Sequence, residues 1–267
     1  MASDRPASAP RAIYTALEAR AALEYSTWRV AKPLLRNLPR GDGSPVLVLP
    51  GFTANDRSTV QLRSMLRSLG YRAYGWKLWA NLGPTRPILE GLEARLAAIE
   101  HREHGRPISI VGWSLGGIFG REMARNNPAR IRQVVTLGSP IRMVPGDRSA
   151  ASGVWESLEG LHDLEAVAAM SNRDRPPLPV PTTSVYTRSD GIVHWRTCLE
   201  SRGPTAENVE VFGSHCGLGF NLSVVVVVAD WLAQPEGEWR RFRAPLWARA
   251  AFPISANWRP PGRRRAA

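Results

Sequence analysis

Three short stretches of this chain carry residues suited to nucleophilic catalysis. Gly112-Trp113-Ser114-Leu115-Gly116 follows a strand-like run, Pro107 to Val111, and opens a helix-like run, Ile118 to Asn126. A Ser on a sharp turn between strand and helix is a nucleophile elbow. The flanking glycines let such a turn close, because a Cβ at either position would crowd the neighbouring backbone. The helix N-terminus then aims free N–H groups at negative charge developing beside the hydroxyl. A serine hydroxyl is a weak nucleophile. It needs a base within hydrogen-bond reach, and that base needs a third group to fix its tautomer.

Both partners stand where a strand-helix architecture would put them. The strand-like run Thr182 to Tyr186 leads into Thr187-Arg188-Ser189-Asp190-Gly191, and Val209 to Phe212 leads into Gly213-Ser214-His215-Cys216-Gly217. The reading is Ser114 as nucleophile, Asp190 as orienting acid and His215 as general base, in the chain order Ser, acid, His. The oxyanion of an acyl-transfer intermediate needs two backbone donors. One is the N–H of Leu115, directly after the nucleophile. The other is the N–H of Phe52, in the loop Leu49-Pro50-Gly51-Phe52-Thr53.

Strands and helices must alternate to place these turns at one sheet edge. Val46 to Leu49, Tyr71 to Gly75, Ile108 to Val111, Ile131 to Leu137, Thr182 to Tyr186 and Val209 to Phe212 read as strands; Ser58 to Leu69 and Pro87 to His104 read as helices. This alternation predicts an α/β fold, a mostly parallel sheet with helices on both faces and its chemistry at the carboxyl ends of the strands. Asn221 to Leu232 is ambiguous, since the five consecutive valines Val224 to Val228 favour a strand by propensity. Phe220, Val224, Val227 and Trp231 on one face favour a helix, which we prefer.

Residues 141–181 break the alternation and are read as a cap or lid over the carboxyl edge. A helix from Val154 to Met170 would carry an apolar stripe of Val154, Trp155, Leu158, Leu161, Leu164 and Val167 toward the site. Trp113, Trp155, Leu158 and His194 are the candidate substrate-binding residues. Residues 1–44 form an N-terminal helical segment, with Ile13, Leu17, Ala21, Tyr25 and Trp28 as its apolar face. Residues 45–233 form the catalytic domain, and residues 234–267 a basic, solvated tail.

The motifs resemble the α/β-hydrolase superfamily and, within it, small lipases and esterases. The likeness spans about residues 45–233. It rests on Leu-Pro-Gly-Phe at 49–52, Gly-Trp-Ser-Leu-Gly-Gly at 112–117, Thr-Leu-Gly-Ser-Pro at 136–140, Ser-Asp-Gly-Ile-Val at 189–193 and Gly-Ser-His-Cys-Gly-Leu at 213–218. Ile141 stands where lipase-like members often carry His, and Pro50 where many carry His before the oxyanion Gly. The resemblance implies the α/β-hydrolase fold, a carboxylic-ester hydrolase working through an acyl-enzyme on the Ser114-Asp190-His215 triad, and no cofactor. Its substrate would be a small-molecule or lipid ester. Acyl transfer by the same triad and a non-catalytic binding protein on the same fold stay open as alternatives.

Composition bounds the remaining classes. The net charge is +12, from 35 Lys and Arg against 23 Asp and Glu. Half of it, +6 from eight Arg and two Glu, lies in residues 235–267. No recognition motif accompanies this charge, so no nucleic-acid partner is expected. Contact of Arg263, Arg264 and Arg265 with an anionic membrane surface stays open. The N-terminus has no apolar signal-like core and the longest strictly apolar run, Val224 to Ala229, is far short of a span, so a cytoplasmic location is expected. No Cys/His spacing suggests a metal site. A calcium near the His215 turn, held by some bacterial lipases, is not expected, because residues 211–229 contain no acidic side chain. Cys198 and Cys216 follow the acid and the base closely in sequence; a bridge between the two turns and two free thiols are both compatible with that.

Overall fold

Six strands, joined by five connections that each return to the same edge, form one sheet in the order β2-β1-β3-β4-β5-β6. They are β1 (Pro45–Leu49), β2 (Arg72–Gly75), β3 (Ile108–Trp113), β4 (Ile131–Leu137), β5 (Thr182–Tyr186) and β6 (Ala206–Glu210). Every pairing is parallel. The computed structural model describes residues 6–171, 176–201 and 203–253. None of the helices among them is long and apolar enough to cross a membrane.

A parallel sheet is covered on both faces, so its central strands are buried throughout. β1 shows how the residues divide. Val46 and Val48 join one core with Leu62, Met65 and Leu66 of α3 (Val60–Ser68) and with α8 (Leu222–Leu232). Leu47 and Leu49 join the other, with α4 (Arg86–Arg102) and α5 (Leu115–Asn126). Successive residues of one strand thus feed opposite layers.

Val224 to Val228 are helical, and all five are buried. Asn221 caps this helix by accepting from Ser223 N–H and Val224 N–H. Burial on nearly every side, together with the cap, overrides the β propensity of valine. β6 lies earlier than the expected Val209 to Phe212. Its inner positions are polar and individually satisfied. Glu207 accepts from Trp231 Nε1 at 2.6 Å and from Phe242 N–H at 3.0 Å, Asn208 brackets the backbone of Glu200, and Glu210 accepts from Tyr186 and Arg188. A search for an apolar run misses such a strand, while Phe212, counted within it, is 60% exposed.

The insertion differs from the single helix expected over Val154 to Met170. It is broken into α6 (Ser152–Ser157), a 3₁₀ turn (Glu159–Leu161) and α7 (Leu164–Met170). Asp163 starts α7 as an N-cap, its Oδ1 accepting from Ala166 N–H. The break destroys the common apolar face. Val154, Leu161 and Leu164 are exposed, and only Trp155 and Leu158 of the proposed stripe's first half are partly covered.

Both chain ends also depart from expectation. The N-terminal segment folds as α1 (Ala12–Leu17), a 3₁₀ turn (Glu18–Arg20) and α2 (Ala21–Ala31). Of its expected apolar face, Ile13, Leu17 and Tyr25 are exposed and Trp28 is buried; Glu18, a charged residue, is buried too. Residues 234–253 are no solvated tail, for Phe242, Ala248 and Phe252 pack into the core beside α8. Arg263, Arg264 and Arg265 lie outside the described residues. Cys198 is buried, Cys216 is exposed, and both are free thiols.

Replacing Glu207 by Leu should cost about 2–4 kcal/mol in denaturant unfolding, because Trp231 Nε1 and the Phe242 N–H lose their buried acceptor. A midpoint unchanged from wild type would mean that neither donor depends on it.

Candidate active site

Ser114 sits between β3 and α5 with φ 53° and ψ −123°, a backbone region that residues with side chains avoid. Two hydrogen bonds hold it there, Ser114 N–H to Leu137 O at 2.8 Å and Gly117 N–H to Ser114 O at 3.0 Å. The turn tolerates no bulk. A Cβ on Gly116 would lie 2.5 Å from Leu49 O and 2.6 Å from Pro50 O. The elbow therefore packs directly against the loop after β1.

Asp190 and His215 are brought together from the ends of β5 and β6. His215 Nδ1 and Asp190 Oδ2 are 2.7 Å apart, and both side chains are almost fully buried. The other carboxylate oxygen, Oδ1, accepts from the N–H groups of Ile192 at 2.9 Å and Val193 at 2.8 Å. That fixes the carboxylate and leaves Oδ2 for the imidazole. The hydrogen bond selects the tautomer with a proton on Nδ1 and a free lone pair on Nε2. Burial is the largest influence on the His215 ring and disfavours its charged form. The charge of Asp190, its hydrogen bond and the charge of Glu18 outweigh burial and raise the ring above ordinary histidine.

The His215 turn is anchored to the elbow. Trp113 Nε1 donates to His215 O at 3.1 Å, and Trp113 directly precedes the serine. A Cβ on Gly138 would lie 3.1 Å from His215 Nδ1, and Gly138 directly follows Leu137, whose carbonyl holds the serine N–H. Ser114 Oγ itself makes no hydrogen bond among the described residues. In uncomplexed sites such contacts are often long and tighten when substrate binds.

The N–H groups of Phe52 and Leu115 have no acceptor among the described residues. Their loop is braced by a residue that motif reading overlooked. Asn81, fully buried, donates from Nδ2 to Pro50 O at 2.9 Å, and its backbone exchanges hydrogen bonds with Thr53 N–H and Ala54 O. Thr53 is held at φ 61° by this exchange. An Asn after a short strand carries no motif, so only the fold reveals it.

The candidate substrate-binding residues separate. Trp155 reaches the site, its ring 5.4 Å from that of Phe52 and 4.3 Å from His162. Leu158 is half-buried in the same insertion, which is seated by His162 Nε2 on Leu82 O and by Asp163 N–H on Pro84 O. Trp113, expected to line the pocket, is instead packed into the core against Gly219 while holding the His215 turn. His194 caps the short helix Trp195–Cys198 by accepting from Arg196 N–H. Burial, then the neighbouring Arg196, keeps its ring below ordinary histidine. No group of three or more His, Cys, Asp or Glu is placed to hold a metal ion among the described residues.

No family model matches the sequence, and no curated protein matches it either. Solved structures do. A lipase from Bacillus licheniformis in its mature form superposes with a TM-score of 0.51 at 16% identity, covering 73% of this chain and 94% of its own. Two others reach 0.49. One is an α/β hydrolase from the metagenome of lagoon sediments, at 15% identity over 72% of this chain and 91% of its own. The other is the mouse α/β hydrolase domain-containing protein 10, at 14% identity over 72% and 89%. The first carries the comparison. Its agreement with a wholly parallel six-stranded sheet flanked by helices shows that this chain has the α/β-hydrolase fold.

Proposed function

We propose that the protein is a serine hydrolase of carboxylic esters, similar to lipases and esterases. The observation that carries the reading is the buried 2.7 Å contact between His215 Nδ1 and Asp190 Oδ2, in a sheet whose β3 ends in a serine of strained elbow geometry. Ser114 Oγ attacks the ester carbonyl and His215 Nε2 takes its proton. The oxyanion forms against the N–H groups of Phe52 and Leu115. Collapse breaks the C–O bond, and His215 returns its proton to the leaving alcohol. Water then repeats the sequence on the acyl-enzyme and releases the acid and free Ser114. Trp155, beside Phe52, and Leu158 of the same insertion would contact the acyl or alcohol group. The half-buried aromatic wall favours an apolar group there.

A fluorophosphonate probe should label Ser114 and no other residue, and the label should vanish in Ser114→Ala. On a panel of chromogenic esters of graded chain length, Ser114→Ala and His215→Ala should each lower kcat by about 10⁴-fold or more, and the double variant little further. Labelling elsewhere, or turnover retained in either variant, would overturn the assignment.

The pH profile has a definite sign. Catalysis needs neutral His215, so kcat/KM falls as pH drops through its pKa, and this limb should lie above that of a free imidazole. Asp190→Asn removes the charge that favours the imidazolium. It should move the limb to lower pH and lower kcat by about 10³–10⁴-fold. A limb that stays in place would exclude Asp190 as the partner of the base.

Asn81→Ala should lower kcat by about tenfold with KM nearly unchanged, since it loosens the oxyanion loop without touching substrate. A rise in KM alone would instead place Asn81 in substrate binding.

A further inference from the structure

The N-terminal segment reaches into the back of both catalytic turns. Glu18 is 8% exposed and its carboxylate accepts three backbone N–H groups. Oε1 accepts from Gly191 at 2.8 Å and from His215 at 2.9 Å; Oε2 accepts from Cys216 at 2.8 Å. The donors belong to the residue after the acid, to the base and to the residue after the base. Around Glu18 the pattern continues. Thr15 donates from Oγ1 to Gly191 O at 2.8 Å. Arg20 donates from one amino group to Ser189 O at 2.9 Å, Ser189 Oγ at 2.8 Å and Gly213 O at 2.6 Å. Glu24 accepts from Ser214 N–H at 2.8 Å.

The turns are built to admit this segment. A Cβ on Gly191 would collide with Tyr14 O, and one on Gly217 with Glu24 Oε2. The contacts are also specific to the catalytic end. Of the expected apolar face Ile13, Leu17 and Tyr25 are exposed and Trp28 is buried in the core, while Glu18, Arg20 and Glu24 bond to the turns. An amphipathic helix docked for stability alone would bury its whole apolar face and leave these charged residues in water.

We propose that Glu18 is a positioning residue of the active site: its carboxylate ties the acid turn to the base turn through the N–H groups of Gly191, His215 and Cys216 and so sets the placement of the His215 imidazole. This rests on the triad reading above and extends it to a residue that touches no reacting atom. One carboxylate bridging two turns restrains their separation, the quantity on which the Asp190–His215 hydrogen bond depends. Misplacement of a catalytic group by about 1 Å costs on the order of 100-fold in rate. Charge acts in the same direction. The groups facing His215 are Asp190 and Glu18, with Glu24 beside them on Ser214 N–H and Arg20 on Gly213 O. Both carboxylates favour the imidazolium that forms when Ser114 is deprotonated.

The test uses the full chain with Glu18→Gln, Glu18→Ala and Glu18→Asp, and Glu207→Gln as a buried carboxylate remote from the turns. Two readouts need no substrate, the NMR titration of the His215 ring and hydrogen exchange at the amides of Gly191, His215 and Cys216. Glu18→Gln should lower the His215 pKa by about 0.5–1 unit. Exchange at the three amides should speed up about tenfold or more, while α8 stays as protected as in wild type. On an ester that the wild type cleaves, kcat should fall about 10–100-fold with KM within about twofold, and the acid limb should follow the His215 titration downward. Glu18→Ala should do more, and Glu18→Asp should restore the titration and part of kcat. Glu207→Gln should lower the thermal midpoint and leave the His215 titration in place. The proposal is overturned by an unmoved titration with unchanged exchange at the three amides, or by exchange that rises uniformly over the whole chain. If the Glu18 variants do not fold, the wild type decides: the amides of Gly191, His215 and Cys216 should exchange about as slowly as those of α8, and fast exchange at all three overturns the proposal. An inert wild type with no labelled serine would sink the esterase reading, while titration and exchange would still decide the role of Glu18.

Discussion

A single 2.7 Å contact between two turns, Asp190 Oδ2 to His215 Nδ1, is the constraint that the rest of the molecule serves. The carboxylate is taken out of water, which is costly unless its oxygens are satisfied. Two N–H groups from its own turn occupy Oδ1, so its remaining capacity is directed at the imidazole. Neither turn can set this distance alone. Each is a flexible departure from a strand end, and the pair must be fixed relative to each other and to Ser114 on a third strand.

The sheet supplies the coarse placement. β3, β4, β5 and β6 are successive neighbours running the same way, so the elbow, the Gly138 turn, the acid and the base leave from one edge. Finer placement comes from residues off the sheet. Trp113 holds the carbonyl of His215, Asn81 holds the carbonyl of Pro50, and the 18–24 segment holds the backs of the acid and base turns. In each case a side chain bonds to loop backbone. This is the expected way to stiffen a loop that must stay irregular, since its peptide groups have no ladder to join.

What the sequence made legible was whatever depends on local pattern. The apolar runs of β1, β4 and β5 and the Gly-x-Ser-x-Gly turn each signal themselves within a few residues, and the fold followed from their alternation. The Asp190 and His215 turns were found because strands preceded them, even though β6 was placed late: the polar Glu207, Asn208 and Glu210 find partners only through the tertiary structure. The break in the insertion was marked by Asp163, a cap hidden inside an apparent helical period. Trp113 looked like a pocket residue because it flanks the serine, yet its position is the last of β3 and its side chain turns into the core. Glu18 carries no local signal. In a helical segment it reads as a solvated charge, and its partners lie more than 170 residues away.

That separation has an energetic consequence. The amides of Gly191, His215 and Cys216 belong to turns whose backbone cannot pair with a strand. A buried N–H left without an acceptor costs about 1–3 kcal/mol, so three together approach the whole stability of an ordinary domain. Water could satisfy them, but water there would also let the turn move. A carboxylate satisfies all three with two oxygens and adds a negative charge near the His215 ring. Neutral acceptors of similar geometry would satisfy the amides and omit the charge. On the proposed reading, Glu rather than Gln at position 18 would make stabilising the fold and poising the base the same interaction.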